Sequence, residues 1–510
     1  MNECEREIDI LIRARYPLIF IISYEEERVE KFLYTLSQKQ NKQFYTWSVT
    51  NGICPFGENK VNEATKDPLS ALNYIEKQTG SVIFLLKDFH PFLSDPTIVR
   101  KLRDLVENLK STYETLIFVS PVLNVPVELE KDIAIVDFAL PSREDIEKLL
   151  DNIIETVSEK KTVKINITPQ IKEKLVDAAL GLTLNEAENA FARAIVADKT
   201  LDERDVNVIL EEKKQVIRKS GILDYFYTEE NMDNVGGLEN LKEWLNKRKM
   251  AFTQKAKDFG LPEPKGILLV GVQGCGKSLT AKAVANLWGL PLLRFDVGKV
   301  FSGVVGSSEE NMRKAIKIAE SISPVILWID EIEKSLSGIE SSAFSDAGTS
   351  ARVFGTFITW LQEKTKPVFV IATANNIRQL PPELLRKGRF DEIFFVDLPS
   401  FEERKEIFAI HLRKRKRDPE KFDLDLLARE SENYSGAEIE QAIIDGLFDA
   451  FVENRDLTTE DILRNIRKTI PLFNTMREEI MELREWARTR ARPASKTERK
   501  RFEEERKLEL

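Results

Sequence analysis

One glycine-rich segment of this 510-residue chain has the composition and spacing of a phosphate-binding loop. Residues 271–278, "GVQGCGKS", match the pattern G-x-x-x-x-G-K-[ST]. An apolar run, "GILLV", precedes the segment, and a helical pattern, "SLTAKAVANLW", overlaps its end. In that context the backbone N–H groups of the loop surround phosphate oxygens, and the helix N-terminus faces them. The segment therefore predicts a site for a phosphate-bearing ligand rather than a plain turn.

Each residue type in this segment suits a triphosphate that carries a magnesium ion. Gly274 and Gly276 allow close approach of the backbone because they have no Cβ atom. Lys277 can reach the β- and γ-phosphates, and the Ser278 hydroxyl can bind Mg²⁺. The other ligand-binding candidates lie within or beside the loop: Gly271, Cys275 and Leu279.

A second segment, residues 325–331, ends in two adjacent carboxylates. The apolar run "VILWI" predicts a buried strand, and Asp330 and Glu331 follow where a parallel strand reaches the ligand-binding edge of its sheet. Asp330 can hold the water shell of Mg²⁺, and Glu331 can polarise the water that attacks the γ-phosphate. An acid pair after a strand is otherwise a helix cap or a solvated turn. The prediction therefore depends on the phosphate-binding loop upstream.

Amides and arginines follow the next apolar run. The stretch "VFVIATANN", residues 368–376, ends in two asparagines. Further on, "ELLRKGRFDEIFF" places Arg386 and Arg389 three residues apart in a short turn that contains a glycine. Two arginines at this spacing are ordinarily part of a solvated face. Their functional interpretation comes from the order of the motifs around them.

Short apolar runs alternate with longer helical patterns in both halves of the chain, which predicts an α/β fold with parallel sheets. The predicted strands of the first half are residues 18–23, 44–49, 81–86, 115–120 and 133–138. Those of the second half are residues 266–271, 292–297, 325–330, 368–373 and 392–397.

The succession of phosphate-binding loop, "WIDE", "ATAN", "LLRKGRFD" and "YSGAEIE" resembles the AAA-type (AAA+) ATPases from about residue 233 to about residue 469. The layout of the whole chain also resembles AAA proteins of algal plastid genomes and cyanobacteria. The resemblance implies a P-loop NTPase large domain with a helical lid, ATP and Mg²⁺ as ligands, and a homo-oligomeric ring, a hexamer in the family.

The resemblance also assigns roles to particular positions. In "NVGGL" it places Val235 and Gly236 against adenine. It makes Asn375 the residue that senses the γ-phosphate and orients water. It makes Arg386 and Arg389 the arginine fingers that reach the ATP of a neighbouring subunit. The implied lid contacts to ribose and adenine are His411, Gly436 and Ala437, although His411 is alternatively an ordinary residue of a helix surface.

The segment "VFSGVVGSSEENMRKA" departs from the family pattern. Val304 stands where remodelling members present an aromatic residue to a substrate polypeptide, and Phe301 lies three residues earlier. This departure argues against threading of a polypeptide through a central pore. Residues 335–350, rich in serine and glycine, predict an inserted loop near the second pore position.

The first half repeats the plan of the second at low similarity. "VDFALPSREDIEKLL", residues 136–150, matches "FFVDLPSFEERKEIF", residues 394–408. "GLTLNEAENAFARAI", residues 181–195, matches "NYSGAEIEQAIIDGL", residues 433–447. The shared order predicts a degenerate AAA-like domain, with an unrelated α/β domain as the alternative.

No glycine loop occurs in the first half. The segment "SYEEER" has Glu25 among three carboxylates where phosphates would bind, and carboxylates repel a triphosphate. In "SVIFLLKDFH", the alignment by sequence puts Phe89 at the position of Glu331 and leaves Asp88 without a catalytic partner. We predict that this half does not hydrolyse ATP and instead serves as a scaffold or recruits a partner.

Composition excludes several other classes of protein. Lys+Arg 76 against Asp+Glu 85 gives 76 − 85 = −9, which is not typical of a non-specific nucleic-acid binder. Three dispersed cysteines predict neither disulfides nor a zinc site, and no apolar run approaches the ~20 residues of a membrane span. The acidic N-terminus is unlike a signal or transit peptide. We expect a cytoplasmic protein, or a stromal one if the gene lies in a plastid.

We predict five segments: a degenerate AAA-like domain over 1–220, a linker with the adenine-side residues over 221–238, the AAA+ large domain over 239–400, the lid over 401–470 and a charged tail over 471–510. The tail is dense in both signs of charge and predicts a solvated helix or a disordered end, with a docking element as the alternative.

Three functions remain open from sequence. The first is an ATP-hydrolysing remodeller or chaperone that acts on an unidentified protein recruited by the first half. The second is a slow ATP-dependent switch that does not thread a substrate, which the valine at position 304 favours. The third is a nucleic-acid motor or loader, opposed by the net charge of −9 and by the lack of recognisable nucleic-acid-binding motifs.

Overall fold

The computed structural model describes residues 3–58, 61–159, 163–219, 221–226, 228, 230–300, 307–334 and 347–496. The chain divides into two units, residues 1–209 and 210–510. The pore position around Val304 and residues 335–346 of the predicted inserted loop lie outside the described residues, whereas the last four residues of that prediction, 347–350, begin a helix instead. Within those ranges, no helix combines the length and apolarity needed to cross a membrane.

The first unit alternates strands with helices along most of its length. Its elements are α1 (Glu3–Arg13), β1 (Leu18–Ile22), α2 (Glu26–Lys39), β2 (Gln43–Ser48), β3 (Gly52–Pro55), α3 (Pro68–Lys77), β4 (Val82–Lys87), α4 (Pro96–Leu109), β5 (Thr115–Ser120), β6 (Ile133–Asp137), α5 (Arg143–Glu159), β7 (Lys164–Ile165), α6 (Pro169–Ala179), α7 (Leu184–Asp198) and β8 (Thr200–Leu201). Helix α8 (Asp205–Lys219) contains the boundary between the units.

The second unit begins a new alternation and ends in helices. Its elements are β9 (Leu223–Phe226), α9 (Glu239–Arg248), α10 (Gln254–Asp258), β10 (Gly266–Gly271), α11 (Lys277–Trp288), β11 (Leu292–Phe295), α12 (Val297–Val300), α13 (Ser307–Ser321), β12 (Val325–Ile329), α14 (Ala347–Glu363), β13 (Val368–Ala374), β14 (Glu392–Val396), α15 (Phe401–Lys414), α16 (Leu424–Glu430), α17 (Gly436–Val452), α18 (Thr459–Lys468), α19 (Leu472–Thr475), α20 (Arg477–Arg490) and β15 (Arg492–Pro493).

The five parallel strands of each unit have the same order, but the antiparallel edge strand comes at a different point of the chain: β3 comes directly after β2, whereas β9 precedes β10. The first has the order β6-β1-β5-β4-β2-β3, and the second has β14-β10-β13-β12-β11-β9, with β15 added beside β14. Neighbouring strands are parallel except at the β3 and β9 edges, where pairing is antiparallel. Every residue of β10, β12 and β13 is buried, as expected for parallel strands covered on both faces. The predicted α/β fold is confirmed.

Helices α15 to α18 form a small helical subdomain with its own apolar core. Phe408, Tyr434 and Ile443 are buried in that core together with Ile462. Helices α15 and α17 both begin with a capping box, Ser400 with Glu403 and Ser435 with Glu438. In a capping box two backbone N–H groups at the helix start are satisfied by side chains. These caps fix where each helix begins.

The C-terminal segment up to residue 496 packs onto the second unit. Helix α20 buries Leu483 and Ala487 in the main core, and β15 pairs in parallel with β14. The Ala494 N–H donates to the carbonyl of Phe395 (2.9 Å). The expectation of a solvated or disordered tail is therefore wrong for residues 477–496. Its mixed charges lie on the outer face of a helix whose inner face is apolar.

Candidate functional site

The glycine-rich loop adopts a backbone that requires glycine at several positions. Gly274 and Gly276 have φ of 78° and 85°, in the left-handed region. At Gly271, which ends β10, a Cβ atom would lie 2.0 Å from the carbonyl oxygen of Val396 on the neighbouring strand. At Gly276 a Cβ atom would meet no atom within 4 Å. The loop therefore has one side fixed against the sheet and another side open.

Lys277 is the first residue of α11 and lies folded under the loop. Its side chain is buried, and its ammonium group donates to the carbonyl oxygens of Gly271 (2.8 Å) and Val272 (2.7 Å). Burial lowers the pKa of this ammonium to about 8, opposed by the carboxylates nearby. A cation held in this position offers its charge to the inside of the loop.

Asp330 connects the loop to two central strands. The hydroxyl of Ser278 donates to its Oδ1 atom (2.8 Å), and the hydroxyl of Thr373 on β13 donates to the same atom (2.6 Å). Asp330 follows β12 directly, so the carboxyl ends of two neighbouring strands and the start of α11 meet here. The resulting cluster of a carboxylate and two hydroxyls provides hard oxygen ligands of the type that Mg²⁺ prefers.

Glu331 and Asn375 meet beside this cluster. Asn375 Nδ2 donates to Glu331 Oε1 (3.3 Å), and the Glu331 backbone N–H donates to the hydroxyl of Thr373 (2.9 Å). Glu331 has φ of 49°, an uncommon conformation for a non-glycine residue. Its other carboxylate oxygen lies 2.6 Å from the ammonium of Lys334. The orientation of the Glu331 carboxylate is thus set by the side chains of Asn375 and Lys334 as well as by its own rotamer.

A third carboxylate, Glu333, is buried behind Asn375. Its Oε1 atom accepts the backbone N–H of Asn375 (2.9 Å). Its Oε2 atom is buried and has no hydrogen-bond partner among the residues described. Burial raises the pKa of Glu333. Glu333 therefore fixes the backbone at Asn375.

The helical subdomain touches the glycine loop directly. The N–H of Ala437 donates to the carbonyl oxygen of Gly274 (3.0 Å), and Gly436 lies close enough that a Cβ atom would be 3.3 Å from that oxygen. Gly436 and Ala437 are the first residues of α17, after the Ser435 cap. The N-terminus of α17 therefore meets the loop.

The segment before α9 packs on helix α15. Val235 is buried, and a Cβ atom at Gly236 would lie 2.6 Å from Ile407 Cγ1 on α15. The Gly237 N–H donates to Glu406 (2.7 Å), and the Leu238 N–H donates to Glu403 (3.3 Å). A cavity of about 350 Å³ lies beside this segment, lined by Glu230, Asp233, Asn234, Ile410, Arg413 and Lys414.

His411 lies on the same helix, one turn after Ile407. It is half-buried, and its Nδ1 atom lies 3.4 Å from Oε1 of Glu440 on α17. Burial lowers the pKa of His411, opposed by Glu440. Arg415 also binds Glu440 (2.8 Å). These contacts join helix α15 to helix α17.

Arg386 and Arg389 lie at the far edge of the sheet from the loop. Asp391, two residues after Arg389, accepts the N–H of Gly266 at the start of β10 (3.0 Å). The loop begins at the other end of that strand, Gly271, about 16 Å away at ~3.3 Å per residue. Arg386 is exposed, and the Nε atom of Arg389 is buried without a hydrogen-bond partner in the described part of the chain.

The structure thus brings most predicted residues into one site. The loop, Asp330, Glu331 and Asn375 meet at the carboxyl ends of the strands, and the start of α17 contacts them. The two arginines stand apart from this group. Sequence reasoning missed Thr373, Glu333, Glu403 and Glu406. A threonine within an apolar strand and a third acid in "WIDEIE" were the available signals for the first two.

Comparison with known proteins agrees with this geometry. Residues 267–398 match the profile of the ATPase family associated with various cellular activities (AAA). Residues 4–138 and 144–220 match the N-terminal and second domains of SpoVK-like AAA ATPases. The AAA domain-containing protein ycf46 of Trieres chinensis is 45% identical over 487 residues, 94% of this chain and 96% of that protein.

The chain belongs to the AAA ATPase family. A second relative is the ycf46 protein of Guillardia theta, 44% identical over 486 residues, 94% of each chain. More distant is the proteasome-activating nucleotidase of Saccharolobus islandicus, 29% identical over 332 residues, 63% of this chain and 79% of that protein. The predicted resemblance to AAA-type ATPases and to the algal proteins is confirmed.

Strand register corrects the alignment of this AAA protein's first unit with its second. We followed the strand register across each sheet and extended that of the second unit one residue past the end of β12, to Asp330. In this alignment Lys87, not Asp88, takes the position of Asp330, and the "LPS" turns of the two units coincide. Asp88 falls at the position of Glu331, and these two residues share φ values of 48° and 49°. The assignment of Phe89 to that position is wrong, because sequence similarity alone leaves the register open by one residue.

In the first unit of this AAA protein, ion pairs stand where the second has the glycine-rich loop and Asp330. Lys87 Nζ lies 3.0 Å from Glu26 and 2.6 Å from Glu30, both on α2. Burial acts to lower the pKa of Lys87, but the hydrogen bonds to these carboxylates outweigh it and raise that pKa. The segment joining β1 to α2 is also shorter than the glycine loop.

Glu25 makes the contact to the first unit's lid helix. Its Oε1 atom accepts the N–H of Leu184, the first residue of α7 (2.7 Å), and its Oε2 atom lies 2.8 Å from Arg28. Helix α7 corresponds to α17, whose start binds the Gly274 carbonyl. Burial raises the pKa of Glu25, opposed by the Leu184 N–H and Arg28. In the first unit, a side-chain carboxylate thus accepts the hydrogen bond from the start of the lid helix that a backbone carbonyl of the loop accepts in the second unit.

Proposed function

We propose that this chain binds ATP with Mg²⁺ at the loop of residues 271–278 and hydrolyses it. The observation that carries the proposal is the convergence of Ser278, Asp330, Glu331 and Asn375 at the carboxyl ends of β12 and β13. In a parallel sheet that edge is where ligands bind. Phosphates on one side and an attacking water on the other fit this arrangement of a cation, hydroxyls and carboxylates.

Binding of the triphosphate falls to the loop and to Lys277. The open side of Gly276 leaves room for phosphate oxygens against backbone N–H groups, and the start of α11 adds its positive end. Ser278 and Asp330 would hold Mg²⁺, whose charge stabilises the phosphate oxygens during transfer. Val235, Gly236, His411, Gly436 and Ala437 would line the base and ribose.

Hydrolysis falls to Glu331 and Asn375. Glu331 would accept a proton from the attacking water, and Asn375 would orient both that carboxylate and the water. Thr373 and Glu333 hold the two backbones, so that little reorganisation is needed during the reaction. Mutating either catalytic side chain is expected to slow turnover more than it weakens binding.

The arginines would act on a neighbouring copy. Arg386 and Arg389 lie about a strand length from their own loop, about 16 Å, which exceeds the reach of an arginine side chain. A ring of identical subunits, six by family resemblance, would place them at the next subunit's ATP. The first unit would recruit a protein partner, whose remodelling consumes the energy of hydrolysis. We expect this activity in the cytoplasm, or in the stroma for a plastid gene.

A slow ATP-dependent switch is the second candidate. Val304 offers no aromatic side chain at the position where related remodellers contact a polypeptide. Replacing Val304 with a charged residue separates the two functions. A threading motor would lose activity on its partner, whereas a switch would keep it.

The proposal is tested by complementation between two inactive chains. Glu331→Gln should bind ATP and lose turnover by about 100-fold, and Arg389→Ala should lose about as much. A mixture of the two should recover activity, because the intact Glu331 of one chain meets the intact Arg389 of the other. Glu402→Gln, on a side chain 79% exposed, is the matched control. Unchanged ATP turnover in both Glu331→Gln and Arg389→Ala would contradict the proposal.

A further inference from the structure

The first unit has an exposed apolar surface at the carboxyl edge of its sheet. Tyr24 is 71% exposed, and Val122 and Leu123 are 43% and 46% exposed. Tyr24 lies two residues past the end of β1, and Val122 lies two residues past the end of β5. These strands are neighbours, and their last residues, Ile22 and Ser120, are paired in register. We name Tyr24, Val122 and Leu123 the edge patch.

Hydrogen bonds hold the backbone that carries the edge patch. The Ser23 N–H donates to the carbonyl of Ser120 (3.1 Å), so the two strands stay together one residue past β1. The Ser120 hydroxyl accepts the N–H of Val122 (3.1 Å) and lies 2.7 Å from Nδ1 of His90. The Asn124 amide donates to the carbonyl of His90 (3.1 Å). A backbone held in this way loses little conformational freedom when a partner binds, which favours affinity.

The edge patch lies where a parallel sheet ordinarily binds its ligand. Such ligands bind outside the carboxyl ends of the strands, and the second unit has Ser278, Asp330 and Asn375 at that edge. In the first unit, Lys87 and its two carboxylates take the equivalent place, and the segment from β1 to α2 contains no glycine. Single exposed apolar side chains are ordinary, whereas adjacent ones are typical of a contact with another protein.

The charges beside the edge patch are negative. Arg28 and Lys87 lie at this edge, but each is already paired, Arg28 with Glu25 (2.8 Å) and Lys87 with two glutamates of α2. Glu27, in the first turn of α2, and Asp88, directly after β4, are exposed. Neither forms an ion pair with another residue in the described part of the chain. The edge therefore combines apolar area with unbalanced negative charge.

We propose that the edge patch binds a segment of a partner protein in which lysines or arginines are interspersed with large apolar residues. The apolar side chains of that segment cover the edge patch, and its cations face Glu27 and Asp88. Such complementarity steers encounter and disfavours wrong partners. Nucleic acids, anionic lipids, acidic segments and a second copy of this edge all meet like charge here. This inference rests on the recruiting role of the first unit in the proposed function and names the surface and chemistry of recruitment.

The experiment measures binding of two fluorescent peptides to the full-length chain by fluorescence anisotropy. Each peptide has about 12 residues, with leucine alternating with lysine in one and with glutamate in the other, so that both have the same apolar face when extended. The lysine peptide should bind, and the glutamate peptide should bind at least about tenfold more weakly. Tyr24→Ser and Leu123→Ser should each raise the Kd of the lysine peptide about tenfold, because apolar area is lost without a change in charge. Glu27→Lys should also raise it.

Matched controls alter residues of the same kind away from the edge patch. Val196→Ser changes an apolar side chain that is 78% exposed near the end of α7. Glu155→Lys reverses an exposed charge on α5. Both should leave the Kd of the lysine peptide within about twofold. Unchanged melting temperatures show that each variant is folded.

Other results contradict the inference. If neither peptide binds, or if the glutamate peptide binds as tightly as the lysine peptide, the chemistry of the partner is wrong. If Tyr24→Ser and Leu123→Ser bind like the Val196→Ser control, the edge patch is not the surface. Either failure with intact ATP turnover would leave the proposed hydrolysis standing. Binding of the lysine peptide by a chain that does not hydrolyse ATP would instead contradict the proposed function and leave this inference in place.

Discussion

Asn375 Nδ2 donates a hydrogen bond to Glu331 Oε1 across 3.3 Å, and this contact joins the residues that follow two neighbouring strands. The Thr373 hydroxyl supports this contact, because it accepts the Glu331 backbone N–H and donates to Asp330. The carboxylate expected to activate water is therefore positioned by β13 rather than by its own strand. Damage to β13 residues should appear as a change in catalysis.

Asn375→Ala should lower turnover far more than it weakens binding. The substitution removes the donor that orients Glu331, and loss of one oriented donor costs about 100-fold in kcat. The Kd for ATP should change less than about threefold, since the loop, Lys277 and the lid residues proposed to hold most of the nucleotide are unaltered. Steady-state ATPase kinetics and titration with a fluorescent ATP analogue give both quantities.

The neighbouring amide supplies the control for that measurement. Asn376 Oδ1 accepts the N–H of Arg378 (2.9 Å), so Asn376→Ala alters a local turn without touching Glu331. Its kcat should remain within about threefold of the unsubstituted protein. Equal losses in the two variants would mean that the turn, not the contact with Glu331, controls turnover.

Gly274→Ala should separate the lid from the loop. A Cβ atom there would lie 3.0 Å from Ser435 Oγ and 3.1 Å from Ala437 Cβ, at a φ of 78°. The backbone strain costs about 1–2 kcal/mol, and the lid must also move away. We expect the Kd for ATP to rise at least about tenfold, equivalent to ~1.4 kcal/mol.

Gly289→Ala isolates the strain from the contact. Gly289 ends α11 with φ of 66°, and a Cβ atom there meets no atom within 4 Å. Its melting temperature should fall while its affinity for ATP stays unchanged. A Gly274→Ala protein that binds ATP normally would show that the contact between Gly274 and Ala437 does not support binding.

Lys87→Met should destabilise the first unit without affecting the nucleotide site. Removal of the ammonium leaves Glu26 and Glu30 without the cation between them, at a cost of about 1–2 kcal/mol. Hydrogen exchange in β1 and α2 should accelerate, and the Kd for ATP should stay the same. Mass spectrometry of peptides from the full-length chain localises the effect.

Lys101→Met is the matched control because Lys101 is equally buried but has one carboxylate partner. Its side chain is 18% exposed, against 19% for Lys87, and it pairs with Glu76 (2.6 Å). We expect a loss below about 1 kcal/mol. If Lys87→Met weakens ATP binding, the first unit is not independent of the nucleotide site.

Asp461→Asn should destabilise the lid in a pH-dependent way. Hydrogen bonds from Arg455, with the cap formed by Thr458, hold the pKa of Asp461 well below its usual range. A depressed folded-state pKa gives stability that is present above the unfolded pKa, ~3.9, and is lost as pH falls towards the folded value. The difference between the two proteins should be about 2 kcal/mol at neutral pH and shrink below pH ~4.

Urea unfolding at several pH values measures this difference. Asp456→Asn is the control, since the Asp456 side chain is 71% exposed where it pairs with Arg417. It should change stability by less than about 1 kcal/mol at any pH. A difference for Asp461→Asn that does not vary with pH would mean that packing, not charge, accounts for it.

Much of the site could be predicted because its motifs are local. A loop such as "GVQGCGKS" specifies its own backbone through glycines, and Asp330 and Glu331 follow a strand at a fixed offset. Thr373 and Glu333 could not be predicted in the same way. Their role depends on which strands are neighbours, and parallel strands bring together residues far apart in sequence.

The packing of the C-terminal tail could not be predicted from the sequence for the same reason. Its alternating charges resemble a solvated segment, yet Ser495 donates to Glu403, and the Ala494 carbonyl accepts the N–H groups of Asn240 (2.9 Å) and Leu241 (3.1 Å). The two bonds to the Ala494 carbonyl cap the start of α9, and the pairing of β15 with β14 covers the edge of that strand. Such a segment can pair only with an edge strand, whose N–H and C=O groups are otherwise unpaired, and the sequence alone does not show which strand lies at the edge.

The sequence by itself determined the α/β alternation, the phosphate-binding loop, the acids after β12 and the absence of such a loop in the first half, because each rests on residue types at short spacing. The tertiary structure decided which residue of the first unit corresponds to which of the second. It made Lys87 the counterpart of Asp330 in the equivalent position of the first unit's sheet, and it placed Glu25 at the start of α7. Register along a strand depends on hydrogen bonds to neighbouring strands, and these form only when distant parts of the chain meet.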